Sequence, residues 1–126
     1  MVKHGLLTLG NLEIARDWGY AGDFVRAMWL MLQQDQAHDF VIGTGKLHTL
    51  KELCHIAYSY INKDWRRCVI SDPLLMRPSE PSTACANTYK AQNLLNWHVE
   101  LEFHTMIEHM VQAQIEYLAS NQGRQA

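Results

Sequence analysis

The spacing of apolar residues changes period several times along this chain, and the changes divide it into elements. Leu6 to Leu9 is a short apolar run ending at Gly10-Asn11, the pattern of a strand followed by a turn. From about Ala21 the period becomes helical: Phe24, Ala27, Met28, Met31 and Leu32 recur at i, i+3, i+4, i+7 and i+8. Val25 and Trp29 widen that stripe, which predicts a helix covered on more than one side and stopping near Gln34. Phe40-Val41-Ile42 reads as a brief strand closed by Gly43-Thr44-Gly45. Thr49 with Glu52 three residues on is a capping box, followed by a face of Leu50, Leu53, Cys54, Ala57, Tyr58 and Ile61. Asn62 stands where a left-handed residue would end that helix.

Cys68-Val69-Ile70 is a third strand candidate. Asp72-Pro73 and Arg77-Pro78-Ser79-Glu80-Pro81 are too rich in proline for helix or central strand, which predicts an extended loop continuing through Ser82 to Ala86. Asn87 can cap a short helix through Leu95 with Leu94 and Leu95 inward, ended by Asn96. A last helix is expected from about Phe103 to Leu118, burying Met106, Ile107, Met110, Val111 and Leu118, with a frayed tail over about 120–126. The expectation is a single α/β unit over residues 1–126, with four helices and three short strands. Strands this short make a weak sheet alone, so they are expected to pair with something further.

Composition narrows the field. At 126 residues and 48% apolar, the chain is the size of one globular domain. A net charge of −2 with scattered Lys and Arg argues against a nucleic-acid partner. No stretch approaches the roughly 18 apolar residues of a membrane span, so no membrane partner is expected. Three cysteines without metal spacing read as reduced thiols of a cytoplasmic protein. His104 and Glu108 stand one helical turn apart, with His109 adjacent, but two ligands at i and i+4 need a third from elsewhere and no recognisable spacing supplies it. Gly43-Thr44-Gly45-Lys46 lacks the spacing of a Walker loop and the third glycine of a dinucleotide loop. Neither a Tyr-x-x-x-Lys pair nor a Gly-x-Ser-x-Gly elbow occurs. No catalytic residue is assigned.

Two arginine segments remain, Arg16-Asp17-Trp18-Gly19 and Arg77-Pro78-Ser79-Glu80. Guanidinium forks grip phosphate oxygens bidentately, and two from separate segments suit a diphosphate, while Glu80 can accept from sugar or ribose hydroxyls. The ordinary alternative is that Arg16 pairs with Asp17 or another surface acid.

The order of segments adds to this. Leu9-Gly10-Asn11-Leu12, Arg16-Asp17-Trp18-Gly19 and the run from Ala27 to Gln34 resemble the GDP-mannose 4,6-dehydratases. So do Phe40-Val41-Ile42 with Thr44-Gly45, His48-Thr49, Asp72-Pro73 and Arg77-Pro78-Ser79-Glu80, a likeness running from about Gly5 to Val111. The resemblance implies the C-terminal, substrate-binding part of an extended short-chain dehydrogenase/reductase. It implies that Arg16 and Arg77 contact phosphates, Glu80 a ribose hydroxyl, and Leu9-Gly10-Asn11 the neighbourhood of the base of a GDP-sugar. NADP is the cofactor implied for the complete enzyme, and it belongs to a Rossmann portion whose motifs this sequence lacks. Pro81-Ser82 departs from the family's Val-Asp after Glu80, and Asn96 replaces its glycine before Trp97. The expectation is a nucleotide-sugar-holding module that is not catalytic by itself, forming a homodimer or associating with a separate half. The alternative is an interaction module that kept the fold and lost the ligand.

Overall fold

The computed structural model describes residues 2–3, 5–76 and 83–122. Arg77 and Glu80 therefore lie outside the described residues, as does the part of the expected 120–126 tail beyond 122, while 120–122 are helical rather than frayed. The elements follow in the order β1 (Val2–Lys3), β2 (Leu6–Leu9), β3 (Ala15–Arg16), α1 (Ala21–Leu32), β4 (His48–Thr49), α2 (Leu50–Tyr60), β5 (Val69–Ser71), α3 (Tyr89–Leu95) and α4 (Phe103–Gln122). Short 3-10 turns occupy Trp65–Arg67 and Pro73–Leu75. The architecture is a small α/β unit of four helices and few strands, as the apolar pattern predicts.

Strand β2 is the middle of a three-stranded sheet, with β1 antiparallel on one side and β5 parallel on the other. The parallel register sets Leu7 opposite Val69 and Leu9 opposite Ser71. A parallel neighbour needs a long crossover, and here α1 and α2 both lie within it. Strands β3 and β4 form a separate antiparallel pair, Ala15 opposite Thr49 and Arg16 opposite His48. Two-residue strands show no periodicity, so β1, β3 and β4 are invisible to it. Conversely, Phe40–Ile42 joins no ladder among the described residues. Its side chains are apolar because Phe40 and Ile42 pack on a core, not because the backbone pairs.

The start of α2 is the best-secured helix end. Thr49 Oγ1 accepts from the Glu52 N–H at 3.0 Å, the predicted cap. The Glu52 carboxylate, however, turns to the His48 ring, Oε1 to Nδ1 3.0 Å. The Leu50 and Lys51 N–H groups donate to the carbonyls of Ile14 and Leu12 at 3.1 and 2.9 Å, so the first three donors of the helix all have partners. Asn62 (φ 56°) and Asn96 (φ 49°) both take the left-handed conformation that ends a helix, as expected from their positions. Asp72 does not simply extend the chain: its carboxylate accepts from the Leu74 N–H at 2.9 Å and starts a 3-10 turn.

Two clusters make the core. One joins Ala27 of α1 to Ala91 and Leu95 of α3 and to Trp97, with Phe24, Phe40, Ile42 and Val99 around it. The other joins Ile56 of α2 to Phe103, Met106 and Ile107 of α4, with Trp18, Leu53 and Ala57 beside it. Several inward assignments fail. Helix α1 is covered on one side: Ala27 is fully buried, but Val25, Met28, Trp29 and Leu32 are exposed, Leu32 to 82%. Leu94 points outward and Ala91 takes its place, because Ala91 and Leu95 are one turn apart and share a face. Met110 is exposed, and so is Leu118, which lies beyond the reach of α2, whose 11 residues are about half the 20 of α4. Ile56, absent from the predicted α2 face, is buried instead.

Candidate functional site

The end of β2 and the segment that follows are fixed from two directions. The Leu9 carbonyl accepts from the Asp72 N–H at 2.7 Å, and the Gly10 carbonyl accepts from the Ser71 hydroxyl at 2.8 Å. A Cβ on Gly10 would sit 2.7 Å from the Leu75 carbonyl oxygen, so only glycine lets the two backbones approach this closely. Asn11 is exposed, and its side-chain oxygen accepts from the Glu13 N–H at 3.0 Å, turning the chain toward α2. That bond leaves the amide nitrogen of Asn11 as its remaining donor group. The turn is held further by Lys51, whose Nζ meets Glu13 at 3.1 Å.

Arg16 follows at the end of β3, half-buried, its Nη1 donating to the Ala15 carbonyl at 2.8 Å. Opposite it, the His48 ring lies parallel to Phe103 with centroids 4.0 Å apart, and Trp18 stacks on Phe103 at 5.7 Å. The strand end carrying Arg16 is thus tied through both neighbours to the start of α4.

Asp17 takes a different part from the one its place beside Arg16 suggests. Its carboxylate accepts the Thr44 hydroxyl at 2.5 Å and the N–H groups of Thr44, Gly45 and Ala86 at 2.7, 2.9 and 3.1 Å. Partial burial pushes this carboxyl up, but the Thr44 hydroxyl and the three backbone donors together outweigh that and hold it below the ordinary carboxylate range. The Gly43–Gly45 turn therefore points its donors at an internal anion. A phosphate loop would aim such groups at the ligand, so this turn does not fit the pyrophosphate of a dinucleotide. Gly43 is needed for the same contact, since a Cβ there would lie 2.4 Å from the Ala86 Cβ and 2.9 Å from Asp17 Oδ2.

Asn11 lies in the short connection between β2 and β3, and Arg16 is the last residue of β3. Arg77 and Glu80 are outside the described residues, but the residues flanking them are placed. The chain passes Gly10 at Leu75 and rests on Asp17 at Ala86, so its two anchored ends meet the neighbourhoods of Asn11 and Arg16.

Two carboxylates that tie distant segments together were not legible as such. Asp17 stood only as a possible partner for Arg16, because its donors come from segments far away in sequence. Asp23 is 3% exposed and accepts from the Glu100 and Leu101 N–H groups, both at 3.1 Å, while its own carbonyl accepts from Trp97 Nε1 at 2.8 Å. Arg26 completes that junction with Glu100 at 3.2 Å. The Asp23–Arg26 spacing was the one local signal for it.

A hollow of about 740 Å³ lies beside Tyr20, Leu101, Met106 and Met110. It is lined by neither Arg16 nor Asn11 and offers no Lys or Arg for a diphosphate. Among the described residues no group of three or more His, Cys, Asp and Glu side chains is placed to hold a metal ion. His104 instead pairs with Glu108 along its helix at 3.3 Å. No described helix is long and apolar enough to cross a membrane.

This arrangement of short sheet, helices and strand-end turns matches part of several solved enzymes. One is the UDP-glucose 4-epimerase of Thermotoga maritima, solved with UDP-glucose: TM-score 0.77, 22% identity, covering 90% of this chain and 36% of the epimerase. Another is the dTDP-glucose 4,6-dehydratase of Bacillus anthracis, solved with NAD: TM-score 0.72, 20% identity, covering 85% of this chain and 33% of that one. The fold is that of a portion of the extended short-chain dehydrogenases/reductases. Residues 1–110 match the family model described as GDP-mannose 4,6 dehydratase. GDP-mannose 4,6 dehydratase 1 of Arabidopsis thaliana is 38% identical over 118 residues, 91% of this chain and 33% of that protein. The human GDP-mannose 4,6 dehydratase is 37% identical over 131 residues, 90% of this chain and 35% of that protein. The chain belongs to the GDP-mannose 4,6-dehydratase family, and it spans about a third of the length of these curated relatives.

Proposed function

We propose that this chain is a nucleotide-sugar-holding part of a GDP-mannose 4,6-dehydratase, taking the GDP portion of a GDP-sugar, and that it carries out no turnover by itself. The observation that carries this reading is the Gly10–Arg16 connection. It keeps the family's motifs in order, its backbone is fixed by the 71–75 segment on one side and the start of α2 on the other, and it carries both Asn11 and Arg16. In this reading the Asn11 amide nitrogen faces an acceptor on the base. Arg16 and Arg77 neutralise the diphosphate, and Glu80 accepts from a ribose hydroxyl. NADP is the cofactor of the complete family enzyme. The Gly43–Gly45 turn gives its donors to Asp17 and so does not fit the pyrophosphate of such a group, and no redox step is assigned to this chain.

The apolar side of α1 follows the same logic. Val25, Met28, Trp29 and Leu32 form an exposed stripe of a kind that marks association surfaces. A second copy, or a separate half of the enzyme, would cover it.

Calorimetric titration of the chain with GDP, GDP-mannose and UDP-glucose tests the reading. The expected result is saturable binding of both guanine ligands, weaker by about tenfold or more in Arg77→Ala and in Arg16→Ala, the effect of losing one charged fork. A folded chain that takes up no GDP at millimolar ligand would overturn it, and would favour the module that kept the fold and lost the ligand.

A further inference from the structure

Asp17 joins three segments that are distant in sequence, and one of them carries Arg16 as its immediate neighbour. Its two oxygens accept four hydrogen bonds: the Thr44 hydroxyl and N–H, the Gly45 N–H and the Ala86 N–H. No side chain of Lys or Arg is among those donors, so the carboxylate works as a backbone anchor rather than as half of an ion pair. The turn is close as well, since a Cβ on Gly43 would collide with the Ala86 methyl and with Asp17 Oδ2. On the chain's other flank, Trp18 stacks on Phe103. The peptide between Arg16 and Trp18 has little freedom left.

We infer that Asp17 is a positioning residue for the diphosphate site, holding the backbone of Arg16 in its binding geometry before a ligand arrives. The inference rests on the proposed role of Arg16 and adds a residue to it. Four donors on one carboxylate fix position and direction together, where a single bond would leave a pivot. A guanidinium on an already ordered backbone loses less conformational freedom when it closes on a phosphate oxygen. Asp17 does this without touching the ligand. It hands the Gly43–Gly45 turn and the Ala86 strand of chain to the strand end that bears the arginine.

The test is a double-mutant cycle read by GDP titration of the 126-residue chain. Asp17→Asn keeps the shape but replaces one acceptor oxygen with an amide group that faces donors. Thr44→Val removes one bond and keeps the volume, and it decides the matter if Asp17→Asn does not fold. Thr44→Ser keeps the hydroxyl and serves as the conservative rescue. The expected loss in GDP affinity is about tenfold for Asp17→Asn, the size of re-ordering roughly one residue of backbone at binding. A smaller loss is expected for Thr44→Val, with recovery in Thr44→Ser. In an Arg16→Ala background the same substitutions should cost nothing further, because there is no guanidinium left to position. Equal losses with and without Arg16 would mean a merely structural role and would overturn the inference. So would GDP binding that weakens in Arg16→Ala but is unchanged in Asp17→Asn and Thr44→Val, an outcome that leaves the binding reading standing. Absence of GDP binding by the unsubstituted chain would remove both.

Discussion

At the scale of single residues, the chemistry of this chain turns on charged groups whose partners come from elsewhere in the fold. Asp17 is the clearest. Hydrogen bonds to a charged group contribute about 1.5–3 kcal/mol each when one partner is lost, and they are not additive. Asp17→Asn is therefore expected to cost roughly 2–3 kcal/mol at neutral pH, measured by urea unfolding. Because its folded-state pKa lies below the unfolded value, this stabilisation is complete above the ordinary carboxylate range. It is lost as pH falls through the folded-state value. The stability gap between the two proteins should thus be wide near about pH 7 and shrink toward about pH 3. A gap that is constant with pH would contradict the sign. Little of this could be read from the sequence. Asp17 was recognisable within the Arg16-Asp17-Trp18-Gly19 motif, but the motif does not say that Thr44, Gly45 and Ala86 are its donors.

At the scale of elements, local rules served well where the information was local. Thr49 as a cap and Asn62 and Asn96 as left-handed terminators depend on residues within one turn, and all three are seen. Thr49→Ala should lower stability by about 1 kcal/mol in a thermal or urea melt. Replacing Asn96 offers a sharper comparison. Asn96→Gly should be near neutral, whereas Asn96→Ala should cost on the order of 1 kcal/mol, because alanine resists positive φ. Equal effects of the two would mean that Asn96 acts through its side chain. Local rules served less well where packing decided. Phe40–Ile42 has the composition of a strand, yet its apolar side chains serve the cluster around Trp97 rather than a ladder. Strands β3 and β4 carry no periodic signal at all. They exist because the connection after β2 lies along the start of α2 and supplies the carbonyls its first N–H groups need.

At the scale of the whole molecule, two small cores leave much apolar surface uncovered. The α1 stripe reads as a buried helix, and Val25, Met28, Trp29 and Leu32 are nonetheless exposed here. The second half of α4, with Ile115, Tyr117 and Leu118, is similarly bare. A chain with this surface is expected to associate at micromolar concentration in sedimentation velocity, and Met28→Lys with Leu32→Lys should shift it toward monomer. A strictly monomeric species at high concentration would argue against the association surface. Periodicity tells which residues favour burial, not whether a neighbour is present to bury them.

What the sequence determined by itself was the family, the four helices, the Thr49 cap and the left-handed terminators Asn62 and Asn96. Those depend on residue types in order and on interactions within a turn or two. Only the tertiary structure decided that Asp17 anchors three segments, that Gly10 admits the Leu75 backbone, and that one face of α1 lacks cover. The reason is physical. Hydrogen-bond acceptors and close backbone contacts are satisfied by whatever folding brings near, and sequence spacing does not encode that distance.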